Sequence, residues 1–225
     1  MAGPNWDRVA ASSGIATVIG LVVGFSMTGS APNWNASGSV IAQKYASHHD
    51  SGLASVIVIG FALMALIWLA ATLGSVVRGS GEHRLASIVV AGAVAFVSIF
   101  AIAGVIQWTL YYGSANGDPA ITKTLFQMQS LAASLAFLPL ALMVFATSVA
   151  AARAKIFPRW YAGLSGIAAL VIVVVVGTVA HSGFFSPNGG YVLISLLVLA
   201  IWLLSTSIVL MTGQGVRKAT PEATV

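Results

Sequence analysis

Charge is what this sequence has least of. Ten Lys or Arg and five Asp or Glu make up 7% of 225 residues, against roughly 25% in a soluble domain. A soluble fold of this length needs a charged surface, so a soluble enzyme, a disordered chain and a nucleic-acid binder are excluded. Cysteine is absent, which removes disulfides, thiolate metal ligands and a catalytic thiol. None of the charged residues falls inside a predicted span. Proton relays and voltage sensors place ionisable groups there, and a retinal-type Schiff base needs a mid-helix lysine. Paired carboxylates for acid–base work and the HExxH zinc motif are missing as well. Nothing in the sequence asks for a cofactor, and a non-enzymatic protein is the leading expectation.

What remains is apolar. Hydrophobic residues make up 58% of the chain, and the mean hydropathy is +0.96. The charges leave uncharged gaps at 9–43, 51–77, 85–117, 124–152 and 160–216. A spanning helix needs about 20 apolar residues, so the last gap holds two spans and the others one each. The predicted spans are Ser12–Gly29, Gly52–Val76, Leu85–Leu110, Leu125–Ala151, Trp160–Ala180 and Tyr191–Thr212. Continuous runs of this kind do not fit a transmembrane barrel, whose strands alternate. The expected fold is all-α: six transmembrane helices in one bundle over residues 1–214, with a short tail at 215–225.

The distribution of cations sets the orientation. Arg8, Arg78, Arg84, Arg153, Lys155, Arg159, Arg217 and Lys218 fall on one side, and Lys44 and Lys123 on the other. Both termini and the tail are therefore expected in the cytoplasm of a bacterial inner membrane. Aromatic residues suggest belts, with Trp160 and Tyr161 inside and Trp108, Tyr111, Tyr112 and Tyr191 outside. The first thirty residues also resemble a secretory signal cut after Ala31. Asp7 offsetting Arg8, and Pro32 after the cut, argue that the segment is retained. The bilayer is the expected partner, with a second membrane protein or a second copy possible and nucleic acid excluded.

Local signals fill in the connections. Ser30–Ser51 is the largest external segment, with a short amphipathic helix expected around Val40–Ala46. Pro158 opens the fifth span, Pro187-Asn188-Gly189-Gly190 makes a turn, and Pro139 should kink the fourth. Gly20 and Gly24 form a GxxxG pair suited to close helix approach, more often within one bundle than between subunits. A faint repeat links Ser13-Gly14-Ile15-Ala16 with Ser165-Gly166-Ile167-Ala168, and Ile67-Trp68-Leu69 with Ile201-Trp202-Leu203. Parallel repeats occur in some transporters, but chance among Ala, Ile, Leu and Gly explains this one better.

Two groups of residues could carry a site. Gln107 and Trp108 with Tyr111 near the end of the third span, and Gln127, Gln129 and Ser130 near the start of the fourth, could line an outward-facing pocket. Gln127, Ser130 and Ser134 share one helix face by spacing. Ordinary interhelical hydrogen bonds are the simpler explanation, at about 0.6 kcal/mol each. His48, His49 and Asp50, with His181 across the same face, could hold zinc or copper if they converge. A solvated polar loop is the simpler explanation there.

Phe157-Pro158-Arg159-Trp160, the run from Ser182-Gly183-Phe184-Phe185 to Gly190, and Ile201-Trp202-Leu203-Leu204-Ser205-Thr206-Ser207 carry a resemblance, as do Tyr45 and His49 in the extended first loop. The chain resembles an uncharacterised family of six-helix integral membrane proteins common in actinobacteria. That family often has an acid where this chain has His181, so the resemblance implies no fixed role for the position. It implies fold and lineage, and no activity. Three functions follow in order: an accessory, scaffold or binding subunit; a small carrier for an uncharged or lipid-like solute; and a membrane enzyme or metal protein with a site on the outer face.

Overall fold

In hydrocarbon, every backbone N–H and C=O must be paired within its own segment, so long apolar runs become helices. The computed structural model describes residues 4–113, 117–177, 183–186 and 189–212, and every regular element among them is helical. Helix α1 (Pro4–Ala11) runs into α2 (Ser13–Thr28), and a short α3 (Gly38–Ser47) follows. Then come α4 (His49–Gly79), α5 (His83–Gly113) and α6 (Pro119–Ala154). Helix α7 (Arg159–Val174) ends in a single 3-10 turn, Val175–Gly177, before α8 (Gly190–Met211). Six segments are long and apolar enough to cross a bilayer, the first running from Arg8 to Thr28. The protein is an all-α, six-span membrane bundle. Residues 178–180 of the expected fifth span, His181, the Pro187-Asn188 turn and the 215–225 tail lie outside the described residues.

The middle helices are longer than hydropathy suggests. Helix α6 has 36 residues, about 54 Å at 1.5 Å per residue, against a hydrocarbon core of about 30 Å. The helix is therefore longer than an upright crossing requires. Asp118 starts the helix by accepting a hydrogen bond from the Ala120 N–H at 2.7 Å, with Pro119 in the first turn where no donor is needed. The helix runs unbroken through Pro139. The short α3, close to the expected Val40–Ala46, is capped by Ser37, which accepts from the Val40 N–H at 3.4 Å.

The spans close a ring. Each packs on its neighbour in the order α2, α4, α5, α6, α7, α8, and α8 returns to α2. The α5–α6 interface is the most extensive. Leu69 and Leu73 of α4, Leu140 and Met143 of α6, Ile172 of α7 and Trp202 of α8 are fully buried between them. The outward faces are apolar too. On α6, Met128, Leu131, Leu135, Leu138, Leu142 and Phe145 are all exposed at alternating spacings of three and four. In water such a stripe would be a large aggregation-prone patch; against lipid it is solvated.

Small residues and hydroxyls join the spans. A Cβ at Gly20 would lie 2.7 Å from the Ala62 Cβ, and one at Gly24 would lie 2.5 Å from Ile59. The GxxxG pair thus seats α2 on α4 within the bundle, and Ser55 adds a hydrogen bond to the Gly24 carbonyl at 2.8 Å. Between α7 and α8, Tyr161 and Thr206 hydroxyls bond at 2.7 Å, and the Trp202 indole donates to Ser165 at 2.9 Å. Tyr161 is therefore a core residue and not part of an interfacial belt, and Tyr111 is buried as well; Trp160, Trp108 and Tyr112 remain exposed. The tryptophans of the repeat are not equivalent in burial. Trp68 is 51% exposed on the outer surface of α4, whereas Trp202 is 0% exposed.

Candidate functional site

Closing six helices into a ring leaves space on its axis. A cavity of about 200 Å³ lies there, lined by α2, α4, α5, α6, the 3-10 turn after α7, and α8. Its lining runs from Phe96 to Tyr111 on α5, a depth of about 22 Å along the helix. The space is therefore long and narrow.

The lining is graded. At depth are Leu63, Phe96, Phe137, Val175 and Leu199, with Phe100 and Leu196 above them. Towards the α3 end come Ser134 and Ser130, then Gln129, Gln107, Tyr111, Tyr45 and Lys44. The α6 contribution, Phe126, Ser130, Ala133, Ser134 and Phe137, follows helical spacing on one face. An apolar floor of this kind stays dry, whereas the mouth offers polar partners.

Helix α3 builds the mouth. Ile41 and Tyr45, one turn apart, are buried against Leu110, Tyr111 and Phe126, with Trp34 beside them. The Tyr45 and Tyr111 rings meet edge to face, with centroids 4.8 Å apart. Tyr111 in turn rests on Gly52 of α4, where any side chain would collide with its ring. Gln107, one turn before Tyr111, lines the cavity with it. Burial pushes the Tyr45 phenol well above its ordinary range, and the nearby Tyr111 adds to this. The hydroxyl therefore remains a neutral donor and acceptor. Gly29 closes the rim at φ +66°, a conformation that favours glycine.

The sequence-derived residues divide clearly. Gln107, Tyr111, Gln129 and Ser130 come together around the cavity. Trp108 instead lines a groove between α4 and α5 on the outer surface, and that groove shares Leu63, Phe100 and Gln107 with the cavity. Gln127, half-buried at the edge of the same α6 face, is not part of the lining. Lys44, Tyr45 and the rim from Thr28 to Pro32 were not singled out as pocket residues. The signal for them was the Ser37 cap followed by Ile41 and Tyr45 at helical spacing.

The histidines stand apart from this. His49 Nδ1 lies 2.7 Å from Asp50 Oδ1, and its ring is edge-on to Tyr112. His48 turns the other way, with Nδ1 2.9 Å from Ser47 Oγ and 3.2 Å from the Lys44 carbonyl oxygen. No three His, Asp or Glu side chains gather among the described residues. No known protein family, curated protein or solved structure matches the chain.

Proposed function

We propose that this chain is a membrane binding or carrier protein for a slender, amphipathic, lipid-like molecule. The ligand sits on the ring axis with its polar end among Gln107, Tyr111, Gln129 and Ser130, and its apolar part against Phe96, Phe137 and Leu199. The graded lining of the cavity carries this reading. The apolar floor matches a hydrocarbon chain, and the few polar groups fix orientation. With the cation distribution read as positive-inside, the mouth faces away from the cytoplasm of a bacterial inner membrane.

Native mass spectrometry of the full chain in mild detergent tests the proposal. Wild type should carry a stoichiometric adduct of lipid-like mass. Ala133→Leu, which adds volume to the cavity wall, should lose it. A bare wild-type protein, or equal adduct on the folded variant, overturns the reading.

A further inference from the structure

The cavity has one feature that a neutral solute does not use. Lys44 lines its mouth and has no carboxylate partner among the described residues. Three acids have described side chains, and each is occupied or distant. Asp50 pairs with His49, Asp118 caps α6, and Glu82 bonds Arg153 at 3.1 Å at the other end of the bundle. The Lys44 ammonium is also positioned. Its Nζ and the His48 Nε2 flank Gly29, 3.3 and 3.1 Å from where a Cβ on that glycine would stand. His48 Nδ1 faces the Lys44 carbonyl and Ser47, so Nε2 is the ring nitrogen turned to the rim. Two nitrogen groups thus converge at Gly29 on the rim of a cavity whose lining also includes Tyr45 and Tyr111.

We infer that the ligand of this cavity carries an oxyanion head on a single apolar chain, with Lys44 as its counter-ion. This rests on the reading of the cavity as an amphiphile site. The head is a carboxylate or a phosphate monoester: either accepts charge-assisted hydrogen bonds from an ammonium and from phenolic hydroxyls. The chain is single because the shaft is narrow, about 200 Å³ in all. An anion at the mouth gains a charge-assisted contact with the Lys44 ammonium that a neutral headgroup does not.

The test uses the full chain in mild detergent with three probes sharing one chain: decanoate, decyl phosphate and decanol. Binding is read by native mass spectrometry on wild type, Lys44→Gln, Lys44→Arg and Lys123→Gln. Lys123 is the other cation at this end and does not line the cavity. At least one anionic probe should bind wild type and Lys123→Gln alike, and bind Lys44→Gln about tenfold more weakly, the equivalent of one charge-assisted contact. Lys44→Arg should restore most of the binding. Preference for decanoate assigns a fatty-acid-like source, and preference for decyl phosphate a lipid-phosphate source. If decanol binds as tightly as the anions and Lys44→Gln changes nothing, the cavity remains an amphiphile site and the anionic head is refuted. Equal loss in Lys123→Gln refutes a specific counter-ion. If no probe binds folded wild type, the amphiphile site itself falls.

Discussion

Replacing Gly38 with alanine should loosen α3 without unfolding the bundle. Gly38 opens α3 directly against the Pro119 carbonyl of α6, and a Cβ there would collide with backbone. Backbone at the capped start of a 36-residue helix does not yield easily, so α3 must move. Its anchorage is limited. Ile41 is 0% and Tyr45 7% exposed, and burying each contributes about 1.5–3 kcal/mol. Against this stands the ordering of ten residues, which form no stable helix alone in water. An overpacking cost of about 1–3 kcal/mol is therefore comparable to what holds α3 in place. It corresponds to roughly a five- to 150-fold rise in the open population. Hydrogen exchange should show this as lost protection confined to residues 38–47. The thermal midpoint of the spans should hardly move. Gly163→Ala, with open space around the glycine, is the control. Unchanged protection at 38–47 in a folded Gly38→Ala protein would refute the argument, and so would global unfolding, which would mean that α3 does not dock as a separable unit.

Two further outcomes follow from the packing and the charge distribution. Tyr161→Phe removes one interhelical hydrogen bond and should cost about 0.6 kcal/mol, since Thr206 keeps its 2.7 Å bond to the Trp202 carbonyl. Trp202→Ala opens a void in the core and should cost about 3–5 kcal/mol. Denaturation in mixed micelles measures both, and equal losses would contradict this division of roles. A reporter fused after Gly189 should be external and one fused after Lys155 cytoplasmic; the reverse pattern would overturn the orientation and place the cavity mouth inside the cell.

The spans were legible because hydropathy reports the lipid-facing and core surfaces together. Their ends were not, since the polar ends of α4 and α6 continue as helix beyond the apolar run, where composition no longer distinguishes helix from loop. The pocket was half legible. Gln107 and Tyr111 are one turn apart, and Gln129 and Ser130 are adjacent, so local spacing grouped each pair. Lys44 and Tyr45 lie some sixty residues from Gln107 in the sequence, and only the folding back of α3 over the ring brings them to the same mouth. Adjacency in the sequence also grouped Trp108 with Gln107, although adjacent helix positions point about 100° apart and only Gln107 reaches the axial cavity.

That groove gives the cavity a second aspect. Leu63, Phe100 and Gln107 belong both to the axial space and to the membrane-facing cleft between α4 and α5. These side chains border both spaces, and rotamer changes of such groups are fast beside helix motion. For a hydrophobic ligand the relevant reservoir is then the surrounding leaflet. Occupancy would follow the mole fraction of ligand in the bilayer, so diluting the protein with buffer at a fixed lipid ratio should leave it loaded, while diluting it with lipid should empty it.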